Sequence, residues 1–468
     1  MTSISQEQLQ SRSLAERAVL VACHLPKSRH DPRDPLGELR LLAETAGATV
    51  VGEAMQSRRS PEAGTYIGAG KLEELKRLVG ELDASLVIFD NDLSPSQIRN
   101  IEKIIGVKII DRSELILDIF ANRATTAAAR LQVELAQLEY TYPRLRAMWS
   151  HLGQITGGAP LGIGTRGPGE TQIETDRRLV QRRKSVLKAR LAEVLARRVR
   201  EVAHRRSEHR TLCLVGYTNA GKSTLFNALT GPSGGGGAYA DDRLFATLTT
   251  RTRRWPLGGG QEALLSDTVG FVRDLPHHLI ASFRATLEEA IHADLLLIVI
   301  DVSDPMAAVQ YEIVRETLSD LLMPDPRRRA SRVADESTNG EWVEDEVEAP
   351  PPAIDPDLPR HILVLNKVDR LDDESELAVW HQRDPSAMGI SARSGRGLDD
   401  LRRIVQERLM GEIVEVEFTA PYAAAKAIAY AESRGQVVQR DYEAGGVRLR
   451  LRIGESHLNR LRSMGLAV

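Results

Sequence analysis

The stretch Thr211-Leu212-Cys213-Leu214-Val215-Gly216-Tyr217-Thr218-Asn219-Ala220-Gly221-Lys222-Ser223-Thr224 decides how the chain is read. Thr211–Val215 is an apolar run of the length of one buried strand, and helical spacing resumes over Thr224–Leu229. Between them stands Gly-x4-Gly-Lys-Ser. Its glycines let backbone N–H groups turn inward around phosphate oxygens, and the helix N-terminus behind them favours negative charge. Residues Gly216 to Thr224 are therefore expected to hold the phosphates of a nucleotide. Lys222 would bring a point charge to the β- and γ-phosphates, and the Ser223 hydroxyl would ligate Mg2+.

Downstream runs supply what a phosphate loop alone does not. Leu264-Leu-Ser-Asp267-Thr268-Val269-Gly270 reads as a strand ending in Asp-x-x-Gly, about 45 residues after the loop. Asp267 would hold Mg2+ through water, and the Gly270 N–H would sense the γ-phosphate. Ile362-Leu-Val-Leu-Asn366-Lys367-Val368-Asp369 puts a carboxylate at the end of an aliphatic strand. The Asp369 carboxylate can accept from guanine N1–H and its 2-amino group, which adenine lacks. Asn366 would meet the base edge near O6 and N7, the Lys367 stem would cover the ring, and the backbone of Gly389-Ile-Ser391-Ala392-Arg393 would contact O6. Four motifs in this order favour GTP over ATP.

The remainder of the chain organises around this centre. Its 468 residues suggest about three domains, and 42% hydrophobic with 27% charged residues excludes wholesale disorder and fibrous repeats. Aromatics at 4% argue against base stacking along a single strand as the main task. The formal charge of −3 is the sum of unlike parts. Asp335 to Asp357 holds nine carboxylates and no Lys or Arg, whereas Arg166 to Arg210 holds 14 Lys/Arg against six Asp/Glu. A near-neutral total therefore says little about partners. Cys23 and Cys213 lie in apolar runs and read as core thiols of a reducing compartment. No run is long enough to span a bilayer, so a cytoplasmic protein is expected.

Before the loop, Val19–His24, Leu36–Ala46, Thr49–Met55, Lys71–Leu82, Leu86–Asp90, Ser96–Ile105 and Val107–Ile110 alternate strand and helix character, which predicts a small parallel sheet. Ser113 to about Trp149 and about Glu170 to Ser207 carry helical spacing. They flank a segment in which seven of seventeen residues, 153–169, are glycine, so an antiparallel helical hairpin with a glycine tip is expected. Gly162-Ile-Gly-Thr-Arg-Gly167 matches a dinucleotide fingerprint but lacks the strand before it, and the match is rejected. Gly68-Ala-Gly-Lys71 reads as a glycine turn opening a helix, with a weak second nucleotide site left open. The expected class is α/β: an N-terminal parallel-sheet α/β domain (1–112), the helical hairpin arm (113–210), a P-loop GTPase domain (211–411) and a small α+β C-terminal domain (412–468). The GTPase segment carries an acidic insert at 324–360, expected to be disordered.

Taken with Tyr66-Ile-Gly-Ala-Gly-Lys-Leu-Glu-Glu-Leu75, Phe89-Asp-Asn-Asp-Leu-Ser-Pro-Ser-Gln97, Leu131-Gln-Val-Glu-Leu-Ala-Gln137, Gly167-Pro-Gly-Glu-Thr171 and Asp267-Thr-Val-Gly-Phe-Val272, the chain resembles the HflX branch of the Obg-related GTPases over nearly its whole length. That resemblance implies a monomeric, Mg2+-dependent GTPase that binds the large (50S) ribosomal subunit and its ribosomal RNA near the peptidyl transferase centre. It further implies splitting or rescue of stalled ribosomes under heat or antibiotic stress. The family's first switch matches Phe245-Ala246-Thr247-Leu248, which makes Thr247 the expected second Mg2+ ligand; the departure at Thr249-Thr250-Arg251 leaves Thr249 and Thr250 as rivals. Lys222, Thr247 and Gly270 are the residues expected to carry catalysis.

Phe271 stands where Ras-like GTPases carry a water-positioning Gln, so slow intrinsic turnover and completion of the site by a partner are expected. The basic arm would grip RNA phosphates, and the glycine tip would enter ribosomal RNA. The competing reading is a nucleotide-gated binding module in which hydrolysis serves only release. A further rival is an RNA-remodelling ATPase using Gly68–Lys71.

Overall fold

The computed structural model describes residues 16–26, 28–155, 168–231, 245, 250–258, 261–273, 289–322, 360–373, 375–411, 413–443 and 445–466. They form two compact units, one running to Arg198 and including Phe245, the other beginning at Val199 and including everything else from there on.

In the first unit, β1 (Arg17–His24), β2 (Thr49–Ser57), β3 (Leu86–Phe89) and β4 (Lys108–Asp111) make a wholly parallel sheet in the order β2-β1-β3-β4. The connecting helices are α1 (Gly37–Ala46), α2 (Ala69–Glu81) and α3 (Pro95–Ile105), the alternation expected from the apolar runs. Ser94 and Gln97 close a reciprocal capping box at the start of α3, worth about 1 kcal/mol, with Pro95 preorganised in the first turn. At Gly68-Ala-Gly-Lys71 the glycine turn is what forms. Gly68 precedes α2, its N–H donates to Gln56 Oε1 (2.9 Å), and Lys71 pairs with Glu74 at 2.8 Å.

The helical stretch expected from Ser113 to Trp149 is two helices, α4 (Arg112–Arg123) and α5 (Ala127–Ile155). Ala124 leaves the helical region (φ −70, ψ 96), and the Thr126 hydroxyl accepts from Ala129 N to start the second helix. Periodicity continued across the break because α4 is buried over most of its surface, so its apolar residues do not define one face. Then α6 (Pro168–Glu208) runs for 41 residues. Leu135 of α5 packs with Leu187 and Leu191 of α6, and Glu134–Arg183, Glu139–Lys184 and Glu139–Lys188 pair across the same seam. These contacts hold the two helices side by side. The middle of the glycine tip, 156–167, lies outside the described residues.

The second unit holds a six-stranded sheet in the order β10-β9-β8-β5-β7-β6, built from β5 (Arg210–Gly216), β6 (Arg251–Gly258), β7 (Gln261–Asp267), β8 (Leu295–Asp301), β9 (His361–Asn366) and β10 (Met388–Gly389). Only β6 runs antiparallel to its neighbour. Helices α7 (Lys222–Thr230), α8 (Ala307–Leu322), α9 (Ser375–Arg383) and α10 (Leu398–Met410) accompany it. β8 is buried at every position, which is why its sequence is an unbroken aliphatic run. The parallel strands β5, β7, β8, β9 and β10 all end on one edge, where open α/β sheets present their ligand sites.

Past α10, β11 (Ile413–Pro421), β12 (Gln436–Glu443) and β13 (Gly446–Gly454) form an antiparallel sheet covered by α11 (Ala425–Arg434) and α12 (Glu455–Ser463). α12 was not read from the sequence, because its mean polarity hides the two positions that carry its packing, Leu458 and Leu461. Both cysteines are free and buried, as expected. Among the described residues no helix is long and apolar enough to cross a membrane. Residues 324–359 of the acidic insert are outside the described residues.

Candidate active site

β5 ends at Gly216, and the loop to Gly221 lies over the edge of the sheet before α7 begins at Lys222. Gly221 has φ +90, and a Cβ there would stand 2.2 Å from Asn366 Nδ2. Only glycine gives the loop this turn. Lys222 is 6% exposed, and its Nζ donates to Gly216 O (3.1 Å) and Tyr217 O (2.6 Å), so the loop curls around its own lysine. Burial lowers the Lys222 ammonium to about 8, with nearby Asp267 opposing the shift.

Asp267 ends β7 next to β5. Ser223 Oγ donates to Asp267 Oδ2 at 2.8 Å, so the two residues expected to serve Mg2+ meet directly. A hydroxyl beside a buried carboxylate is the hard-oxygen donor set that Mg2+ takes. Thr218 Oγ1 is buried with no hydrogen-bond partner among the described residues, an orphan that a phosphate oxygen would satisfy. Thr224 is half-buried in the first turn of α7. These residues fit a Mg2+-bound nucleotide.

Thr268 Oγ1 donates to Leu214 O (2.6 Å), and Val269 is fully buried; both fix the path of the strand end. Beyond them the chain lies along the phosphate loop. Thr218 N donates to Phe271 O (2.8 Å), Phe271 N donates to Gly216 O (3.0 Å), and Arg273 N donates to the Tyr217 hydroxyl (2.8 Å). A Cβ on Gly270 would be 2.7 Å from Thr218 Cα and 2.8 Å from Lys222 Nζ. Phe271 itself is 2% exposed, a core side chain.

On the far side of the loop, the Asn366 amide is engaged by two neighbouring loops. Its Nδ2 donates to Ala220 O (2.9 Å) and its Oδ1 accepts from Ala392 N (3.0 Å), and the side chain is 2% exposed. Asn366 ties the phosphate loop to the Ser391–Arg393 loop, and the Ala392 N–H expected near O6 is committed to that tie. Lys367, at φ +67, sends Nζ to Asn219 O (2.9 Å) and to Asp301 Oδ2 (2.6 Å). Val368 is buried and Asp369 exposed, with Arg393 exposed across from it. A hydrogen bond from Ser391 holds the Asp369 carboxyl below the ordinary carboxylate range, which keeps it an acceptor at neutral pH.

Phe245 belongs to the first unit. It is 2% exposed, packs edge-to-face on Phe120 (4.6 Å) in the first unit, and its carbonyl accepts from Arg123 Nη1 (2.6 Å). Ala246, Thr247, Leu248 and Thr249 lie outside the described residues. Sequence reading missed Tyr217 as a support for the segment after Gly270, and it missed Asp301. The only signal for Asp301 was a carboxylate closing an aliphatic strand.

Four family models match in succession: GTP-binding GTPase N-terminal over 33–121, GTP-binding GTPase middle region over 123–205, 50S ribosome-binding GTPase over 211–328, and HflX C-terminal domain over 377–467. The chain is 40% identical over 447 residues to a GTPase HflX of Lacrimispora saccharolytica, covering 94% of each. To a GTPase HflX of Escherichia coli it is 39% identical over 408 residues, covering 87% and 86%. Among solved structures, a GTP-binding protein from Sulfolobus solfataricus in complex with GDP aligns at 22% identity with a TM-score of 0.40, covering 84% of this chain and 98% of that one.

Proposed function

The chain belongs to the HflX family of GTPases, and from that premise we propose that it uses GTP binding and hydrolysis to engage the large ribosomal subunit and to split or rescue stalled ribosomes. The observation that carries the GTP half of this reading is the meeting of Lys222, the Ser223–Asp267 pair and the loops holding Asp369 along one edge of a parallel sheet. What supports the ribosomal half is the 50S ribosome-binding GTPase model matched over 211–328, together with the basic excess of Arg166–Arg210. The same reading divides the chain after residues 112, 210 and 411 into sheet domain, hairpin arm, GTPase domain and C-terminal domain.

In this mechanism the loop amides from Gly216 to Ser223 and the N-terminus of α7 cradle the phosphates, and Lys222 carries its charge to the β- and γ-oxygens. Mg2+ held by the Ser223 hydroxyl and Asp267, with Thr247 as a further ligand, would neutralise charge on the β- and γ-phosphate oxygens. The Gly270 amide senses the γ-phosphate from a position beside Lys222. Asp369 selects guanine. Phe271 cannot orient water through hydrogen bonds, so a group from the large subunit completes hydrolysis.

GTPase activity measured with and without purified large subunits is the direct test. Stimulation of many-fold is expected, and an unchanged rate refutes a partner-completed site. Deleting 157–167 should leave GTP affinity intact and abolish splitting in sedimentation assays; a fully active deletion refutes the role of the tip. Splitting that persists with a non-hydrolysable analogue would reduce hydrolysis to a release step.

A further inference from the structure

Asp301 is the last residue of β8, directly in register with Asn366 at the end of β9. Its side chain is 12% exposed, and its two oxygens do different things. Oδ1 accepts from Ser303 N (3.1 Å) and Ser303 Oγ (2.6 Å), which shapes the turn after the strand. Oδ2 accepts from Lys367 Nζ at 2.6 Å, and that ammonium also donates to Asn219 O of the phosphate loop.

A free lysine stem samples many rotamers and would lose that freedom on covering a ring. Here both of its ends are already held. The backbone of Lys367 is fixed in the left-handed region, unusual for a residue with a long side chain, and the ammonium is fixed by one carboxylate and one loop carbonyl. The aliphatic stem is thereby stretched between the end of β9 and the phosphate loop, and its charge is balanced by a neighbour that belongs to neither motif.

Resting on the guanine-nucleotide reading above, we propose that Asp301 is a positioning residue of the base pocket, acting through Lys367 to hold the stem that covers the purine ring. It sets how long a nucleotide stays bound and leaves the choice of base to Asp369. This division follows from the contacts: Asp301 grips the group that lies over any purine, whereas Asp369 presents acceptors that only some purine edges can fill.

The test is release of mant-GDP from the full-length chain in stopped-flow, with mant-IDP as the base-preference control. Asp301→Ala is expected to release mant-GDP about tenfold faster, the loss of one charge-assisted hydrogen bond, with the GDP-to-IDP ratio unchanged. Asp301→Asn keeps one acceptor oxygen, which can serve Lys367 or Ser303 but not both, and should recover only part of the difference. In a Lys367→Met background, Asp301→Ala should change the rate less than twofold. Ser303→Ala removes the turn contact alone and should leave release unaltered. The assignment is overturned by a wild-type rate in Asp301→Ala, by independent effects in the double variant, by an altered base ratio, or by Ser303→Ala reproducing the effect. A wild-type chain that holds no mant-GDP overturns the guanine reading itself, and this assignment with it.

Discussion

Replacing Asn366 with alanine separates a tie from a base reader. The amide makes two buried hydrogen bonds, to Ala220 O at 2.9 Å and from Ala392 N at 3.0 Å. Each is worth about 1 kcal/mol net, and about 2 kcal/mol if its former partner is left dry and unpaired, so the substitution costs roughly 2–4 kcal/mol. None of that cost needs a ligand. The nucleotide-free chain should therefore already melt about 5–15 °C lower in its second unit, at about 2–4 °C per kcal/mol for a body of this size. Affinity for GDP should also fall, because the phosphate loop and the Ser391–Arg393 loop lose their common anchor, and IDP should lose as much as GDP. Calorimetric melting without nucleotide, paired with titration of both nucleotides, reads all three quantities. An unchanged melting temperature with weakened nucleotide binding would mean that Asn366 meets the O6/N7 edge, which inosine shares with guanine, and the tie would be refuted.

Four further outcomes follow from the same contacts. Gly221→Ala must place a methyl 2.2 Å from Asn366 Nδ2 at φ +90, and it should weaken GDP binding at least a hundredfold in titration, about 3 kcal/mol of strain and displacement. The His457 imidazole is lowered to about 4 by burial and by Arg434, Arg210 and Arg460, so its neutral form is the native one. As pH falls below the unfolded value of about 6.5 the unfolded chain gains a proton that the folded chain refuses, and about 1–2 kcal/mol of stability should be lost by about pH 5. Urea midpoints at the two pH values check this, and His457→Gln should flatten the difference. Leu187→Ala empties a fully buried position in the hairpin seam and should cost about 2–5 kcal/mol in denaturant unfolding of the first unit. Arg112, 1% exposed, pairs with Asp90 and Glu38 at 2.5 and 3.0 Å; Arg112→Ala removes the buried cation these two acids share and should cost about 3–5 kcal/mol by the same measurement.

What residue order alone determined about this chain is the set of features that chemistry ties to short spacing. The loop reads as Gly-x4-Gly-Lys-Ser between strand and helix, because such a turn lets backbone amides face inward, and Gly221 stands at φ +90 where that turn needs a glycine. The parallel N-terminal sheet and the long paired helices were legible for a similar reason, since burial of one face imposes its period on the sequence. The break at Ala124 was not, because α4 is buried over most of its surface and lacks a one-sided stripe. Nor was α12, whose packing rests on few apolar residues.

Tertiary structure decided which atoms each motif residue has left to offer. Asn366 lies in a motif expected to face the base, yet Ala220 and Ala392, far from it in sequence, each take one bond of its amide. Phe245 lies in the segment matched to a nucleotide switch, yet Phe120 and Arg123 hold it. Asp301 belongs to no motif and nevertheless holds the lysine of one. A side chain's hydrogen-bonding capacity is finite, and long-range neighbours fill it first. A motif fixes which groups are present, and the fold fixes which of them remain available to a ligand.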